Sequence, residues 1–301
     1  MTGLAAHDIL LAACEEAGLD ARDARLLRAH SNSVWLLPRQ RPQAVVRIGR
    51  SQHRGLRFQA ALAVTRWLAD HDIPVTEPLM DQAVEIDDAA VTVWRYYPQQ
   101  DRGEPPMRDL GAILRRLHAL PTPPLELHPY PPLAGLTTIV GSDAARQVLT
   151  PDDLTWLGDR AHELLDRYHG LESVLGVGFI HGDAYAGNCL WDGAERVVLG
   201  DWDEASIGPR EQDLILSCHD HLRFGASEDD LAQFFTAYGL DLNEFRTWPA
   251  FDVLTSMRDL HTLTGYIRRA ASTDTATARE LHRRLRMLRN PAAGTEPWHG
   301  M

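Results

Sequence analysis

Asp183, Asn188 and Asp201 are oxygen-bearing side chains that fall within residues 179–214, FIHGDAYAGNCLWDGAERVVLGDWDEASIGPREQDL. Each emerges from the edge of a short apolar run, and these runs read as strands at 177–180, 189–191 and 196–199. Asp183 and Asn188 are five positions apart in a loop too polar and glycine-containing for a helix, so both side chains can point into one pocket. Asp192-Gly193 turns the chain back, and the third strand returns Asp201 to the neighbourhood of Asn188. Phosphoryl transfer needs these residue types. A triphosphate is polyanionic and must be neutralised by a divalent metal, and Mg²⁺ takes hard oxygen ligands, usually one or two from the protein plus the phosphates. An aspartate and an asparagine supply oxygens without overcharging the site, and a further carboxylate orients the attacking hydroxyl and accepts its proton.

The elements that must position these residues are legible at coarse grain. Residues 4–17 have a helical pattern that Gly18 stops. Strands are expected at 34–37 and 44–48, joined by a polar turn, and then a helix over 57–70 that Pro74 ends. Two more strands follow at 84–86 and 90–96, with Asp87-Asp88 as the turn. Periodicity is lost and breakers cluster over 98–106, which marks the boundary between an N-terminal lobe, 1–97, and a C-terminal lobe, 98–301. Beyond it Leu110, Ile113, Leu114, Leu117 and Leu120 make one apolar helix face, 121–132 is a proline-rich loop, and helices are expected over 152–168, 227–238, 254–271 and 276–288. The expected fold is α+β and bilobal: a small N-terminal antiparallel sheet with a helix, then a larger, mainly helical lobe that carries the hairpin.

The segment resembles the aminoglycoside phosphotransferase and choline kinase family of kinase-like small-molecule phosphotransferases. The resemblance rests on H-G-D-x-x-x-x-N, present as His181-Gly182-Asp183 through Asn188, on Asp201-Trp202-Asp203, and on Gly208-Pro209-Arg210-Glu211-Gln212-Asp213-Leu214. It extends more faintly over Arg115-Arg116-Leu117-His118-Ala119-Leu120 and Trp67-Leu68. It implies that Asp183 is the catalytic base and that Asn188 and Asp201 are the Mg²⁺ ligands. Asp203 then helps a second metal or positions the substrate, His181 braces the loop, and Asp213 fixes the loop backbone from a buried position. Asp203, Glu204, Asp220 and Asp229 could line a site for a cationic sugar or could be surface charges, the reading preferred for Asp229.

The resemblance also places a nucleoside triphosphate, ATP or GTP, under the N-terminal sheet. His30-Ser31-Asn32-Ser33 offers small polar groups that could approach phosphates, or an ordinary turn. No G-x-x-x-x-G-K-[ST] is present. The third-strand cation of kinase-like folds is here Arg47, which keeps the charge and can fork onto two phosphate oxygens. The base is expected along Trp94-Arg95-Tyr96-Tyr97. One departure stands out: the glutamate that pairs with the strand cation falls on Ala61, with the uncharged Gln59 nearby. Arg47 must then be held by the phosphates alone or by a carboxylate from elsewhere.

Bulk properties bound the partners. A formal charge of −12 over 301 residues argues against a nucleic-acid binder and against a polybasic membrane-surface protein. The acidic excess either steers a cationic substrate or keeps the chain soluble. Cys14, Cys189 and Cys218 form neither a disulfide framework nor a C-x-x-C metal pair. No signal peptide and no apolar run of spanning length is read, so a cytoplasmic location is expected. His219-Asp220-His221 has the look of a metal motif but lacks a third ligand, and a helix surface or substrate-side wall is expected instead. The expected partner is a small molecule with a free hydroxyl: an antibiotic first, with choline-like, sugar, nucleoside and amino-alcohol acceptors open. A nucleotide-binding module without catalysis is the reading that the missing glutamate would favour.

Overall fold

The computed structural model of the protein describes residues 5–29, 32–50, 54–99, 102–272, 274–290 and 296–300. Its first elements are α1 (Ala6–Glu16), β1 (Arg25–Ala29), β2 (Asn32–Leu37), β3 (Ala44–Arg50), α2 (Arg54–Asp70), β4 (Val84–Ile86), β5 (Ala89–Arg95) and α3 (Met107–Ala119). The chain continues with α4 (Ala134–Val140), α5 (Asp143–Val148), α6 (Pro151–His169), β6 (Val177–Ile180), β7 (Cys189–Asp192), β8 (Arg196–Leu199) and β9 (Ser206–Pro209). It closes with α7 (Glu211–Phe224), α8 (Glu228–Tyr238), α9 (Leu242–Arg246), α10 (Pro249–Ala270) and α11 (Thr275–Arg289). Two compact units result: residues 1–127 with 181–206, and residues 128–180 with 207–301. Among the described residues no helix is long and apolar enough to cross a membrane.

The first unit is built on an antiparallel sheet in the order β1-β2-β3-β5-β4. Alternation along β3 sends Ala44, Val46 and Ile48 into one core with Ala89, Val91 and Val93. Helix α1 covers that face because Ile9, Leu10, Ala13 and Cys14 fall on one side of it. It stops where Gly18 takes a φ of +64°, a conformation open to glycine. Period two puts Arg47 on the opposite face, where α2 packs with Phe58, Ala61, Leu62 and Leu68 buried.

Within this unit β7 and β8 pair from Cys189↔Leu199 to Asp192↔Arg196 around Gly193, whose φ is +74°. Segment 74–76 holds the hairpin: Leu199 N–H donates to Pro74 O at 2.9 Å, and Thr76 N–H donates to Leu199 O at 3.1 Å. Gln99 stitches its other end, taking the Trp191 N–H at 3.0 Å and donating to Trp191 O at 3.1 Å. Strand β1 is missing from the sequence reading because Arg25 to Ala29 is exposed throughout and shows no apolar alternation.

The second unit is helical around α10, which buries Val253, Leu254, Met257, Leu260, Leu263 and Ile267. Its helices α4, α5, α7 and α9 escaped the sequence reading. In α7 the nine residues from Glu211 to His219 are all buried, so no polar face marks a helical period. The core of this unit holds a charge. Arg284 is fully buried, pairs with Glu280 at 2.9 Å, and stacks on Tyr266 and Trp298 at 4.0 and 4.5 Å from their ring centres. Arg284 also donates to His299 O at 2.6 Å, so the described tail, 296–300, is part of this core.

Burial alone would raise the Glu280 carboxyl, but hydrogen bonds from Arg283, Arg284 and the His299 N–H hold it down to about 2. A depressed carboxylate contributes stability above its unfolded pKa and loses it as pH falls through the folded one. Its contribution is therefore complete above about pH 5 and drains away toward pH 2, on the order of 3 kcal/mol at one pKa unit per ~1.4 kcal/mol. Glu280→Gln should lower Tm markedly at pH 7, and the gap to wild type should narrow between pH 5 and pH 3. A gap constant over that range in thermal unfolding would contradict the pairing.

Candidate active site

The loop after β6 begins with a buried histidine that ties it to the hairpin. His181 Nε2–H donates to Gly200 O at 2.9 Å, and its Nδ1 accepts the Asp183 N–H at 3.2 Å. A carbonyl accepts only and an N–H donates only, so the ring is the neutral Nε2–H tautomer. The ring lies 4.4 Å from that of Trp202, whose indole N–H donates to Leu199 O at 3.0 Å. Gly182 has a φ of +85°, and a Cβ there would collide with the Glu204 carbonyl.

Asn188 closes the loop. Its Nδ2 donates to Asp183 O at 2.9 Å, its own N–H to Tyr185 O at 3.0 Å, and its O accepts the Gly200 N–H at 2.9 Å. Gly200 is thus the meeting point: its N–H goes to Asn188 and its O to His181, while Asp201 follows directly. A Cβ on Gly200 would stand 2.9 Å from the Thr76 side chain, so only glycine allows this approach. Asp201 takes a left-handed conformation, φ 60° and ψ 56°, uncommon for a non-glycine residue. Asp183 and Asn188 are therefore tied into one hydrogen-bonded knot around Gly200, the residue that precedes Asp201.

Arg47 meets this knot from β3. Its Nη1 and Nη2 fork onto Asp203 at 2.9 and 2.7 Å, and Nη2 also reaches Asp201 at 2.9 Å. Burial opposes the Arg47 charge, but Asp201 and Asp203 outweigh it, so its pKa is raised and it stays a cation. Below it lies the Phe58 ring of α2, 5.0 Å from the guanidinium carbon. Ala61, where a pairing glutamate was expected, is buried, and the Gln59 side chain accepts the Ala83 N–H at 3.0 Å. Helix α2 supplies a cation instead: Arg57 pairs with Glu204. Burial raises the Glu204 pKa, Arg57 opposes this, and Asp183, Asp203 and Asp201 raise it further, so these four carboxylates share one neighbourhood.

The chemistry of the donors fits a hard cation at Asn188 and Asp201. The Asn188 amide nitrogen is committed to Asp183 O, which leaves Oδ1 as its acceptor, and Asp201 adds carboxylate oxygen. Among the described residues no three histidine, cysteine, aspartate or glutamate side chains form a ready cage. The buried Arg47 Nε has no acceptor among the described residues, and an incoming anion would satisfy it.

The other residues expected on the nucleotide side are placed as follows. His30 and Ser31 lie outside the described residues. Asn32 and Ser33 are strand residues of β2, opposite Gly49 and Ile48, and the Ser33 hydroxyl accepts the Trp35 indole N–H at 3.4 Å. Trp94 stands opposite Val45, with its indole on Thr92 Oγ1 at 3.0 Å. The N–H groups of Arg95 and Tyr96 go to Glu77 O and Gln43 O at 2.9 and 2.8 Å, so neither donates to a base in this arrangement.

Sequence reasoning missed Glu211, a fully buried carboxylate that accepts from Ser173 Oγ and from the N–H groups of Val174 and Leu175 at 2.6, 2.6 and 3.1 Å. Its place after Gly-Pro-Arg was the available signal. His219 and His221 form no joint site. His219 is buried against Asp259 at 3.1 Å, whereas His221 Nδ1 bonds Ala226 O at 2.7 Å. His219 is thus core rather than helix surface, and burial lowers its pKa despite Asp259.

An antiparallel five-stranded sheet bearing a largely shielded cation, with a histidine-braced loop and hairpin, is the arrangement of a kinase-like fold. The chain belongs to the phosphotransferase enzyme family, whose profile matches residues 23–254. Solved structures repeat the fold. An amicoumacin kinase in complex with AMP-PNP, Ca²⁺ and Ami is 15% identical, with TM-score 0.70 over 98% of this chain and 96% of that one. A microcompartment-associated aminopropanol kinase is 16% identical, with TM-score 0.68 over 96% and 99%. A choline/ethanolamine kinase family protein from Mesorhizobium loti is 17% identical, with TM-score 0.62 over 94% of each. No curated protein matches the chain in sequence.

Gly182→Ala should destabilise the first unit by about 1–3 kcal/mol, from left-handed strain and the collision with Glu204. Urea unfolding checks this, and a loss within ~0.5 kcal/mol would mean that the loop does not seat against the 202–204 turn.

Proposed function

We propose that this enzyme transfers the terminal phosphoryl group of ATP to a hydroxyl of a small molecule, an antibiotic or other sugar-containing natural product first among them. The observation that carries the reading is the knot around Gly200, which gathers Asp183, Asn188 and Asp201 beside Arg47. Asp183 is the base: it orients the acceptor hydroxyl and takes its proton as that oxygen bonds to the γ-phosphorus and the bond to the β–γ bridging oxygen breaks. The products are the phosphorylated acceptor and ADP, and the proton leaves Asp183 for solvent. Arg47 holds the α- and β-phosphate oxygens. Asn188 and Asp201 would hold Mg²⁺, which when bound neutralises charge on the phosphates. His181 keeps the loop in register and moves no proton, since both of its nitrogens are committed. ATP as donor is supported by the AMP-PNP and ADP in the structurally similar amicoumacin kinase and spectinomycin phosphotransferase.

The excess of carboxylates over guanidiniums, Asp183, Asp201, Asp203 and Glu204 against Arg47 and Arg57, favours an acceptor that carries positive charge. A metabolic amino-alcohol acceptor is the second reading, supported by the similarity to the aminopropanol kinase. Asp183→Ala should slow turnover at least ~100-fold and leave nucleotide affinity nearly unchanged. A triphosphate-consumption screen over antibiotics and metabolites, followed by mass detection of an added phosphate, identifies the acceptor. Nucleotide binding without transfer to any hydroxyl in a broad library would favour a nucleotide-binding module, and wild-type turnover in Asp183→Ala would remove Asp183 as the base.

A further inference from the structure

A phosphate-binding cation works only if something holds it, and α2 offers Arg47 no carboxylate: Ala61 is buried and Phe58 presents its ring. We infer that Asp203 is the positioning residue for Arg47, doing from the 202–204 turn what a helix glutamate would otherwise do. The inference deepens the kinase reading and rests on it. Three features carry it.

The first is geometry. Both Asp203 oxygens meet the two terminal guanidinium nitrogens, at 2.9 and 2.7 Å, the forked arrangement that fixes a planar guanidinium in orientation as well as place. Asp201 adds a contact to Nη2 at 2.9 Å.

The second is shielding. The Arg47 and Asp203 side chains are each 13% exposed, whereas Asp201 is 34% exposed. An ion pair screened from water in this way orients its partners strongly, and loss of either member leaves an uncompensated charge.

The third is mounting. The turn that carries Asp203 is fixed on both sides. Trp202 is anchored to Leu199 O and packs on His181, and Glu204 pairs with Arg57 of α2. The cation is thereby tied to the same short segment that presents Asp201. One donor, Arg47 Nε, is buried with no acceptor among the described residues, so the fork leaves the guanidinium with a donor to give to a phosphate oxygen. With both oxygens on the guanidinium, Asp203 acts on the nucleotide through Arg47 and not as a ligand to a second metal.

The test separates these roles by measuring ADP binding calorimetrically, once in EDTA and once across a Mg²⁺ series. Asp203→Asn should weaken metal-free ADP binding about 10-fold or more, without raising the Mg²⁺ concentration needed for half-maximal enhancement. Asp203→Glu, which keeps the carboxylate, should recover part of the loss and serves if Asp203→Asn does not fold. A second-metal role predicts the reverse, intact metal-free binding with an increased Mg²⁺ requirement, and that result overturns the inference. Thermal unfolding of Arg47→Met, Asp203→Asn and the double variant tests the pair without nucleotide: the double variant should lose less than the sum of the singles. Additive losses overturn the pairing. If the wild type binds no ADP, the kinase reading fails, while the unfolding cycle still decides whether Asp203 holds Arg47.

Discussion

Arg47 is a cation in a largely shielded place, and the arrangement of the candidate site follows from the need to neutralise it. A buried charge without a partner costs several kcal/mol, a large part of the roughly 5–15 kcal/mol that holds a domain folded. The fold meets this with Asp201 and Asp203, both from one turn. The solution overshoots. Among the described side chains, four carboxylates (Asp183, Asp201, Asp203, Glu204) face two guanidiniums (Arg47, Arg57), which leaves two formal negative charges. Under the proposed function a polyanionic triphosphate binds such a field more readily together with divalent cation, so charge balance favours metal as well as the ligand set.

The same turn depends on backbone that few residues tolerate. Gly182 and Gly200 permit approaches that a Cβ would block, and Asp201 accepts a left-handed conformation at a cost of about 1 kcal/mol or more. That strain is held in place by the β7–β8 ladder, by segment 74–76 and by the buried His181. Rigid elements thus over-determine a short irregular stretch, and the side chains that would do chemistry project from it.

A shared fold does not fix the acceptor. The kinases that share it include proteins named for an antibiotic and for an amino alcohol, at 15% and 16% identity. What they have in common with this chain is the scaffold. Fold likeness at that identity leaves the acceptor to experiment.

The sequence by itself determined the loop and hairpin that carry Asp183, Asn188 and Asp201, because a polar loop, an Asp-Gly turn and short apolar strands are local signals. It also determined the one-sided elements: α1, α3 and the alternating strand β3 reveal themselves through periodic burial, and β5 through a short run of strand-forming apolar residues between turn signals. It did not reveal β1, which is exposed on every residue, or α7, which is buried on nine in succession, since neither has a period to read. Nor did it give the partner of Arg47. Ala61 was legible as an absence, but the replacement lies 156 positions away, in a motif that pointed to metal. Local periodicity records which side of an element is buried, whereas the pairing of one charge with another across the fold is decided only when β3 and the 202–204 turn are brought to one place.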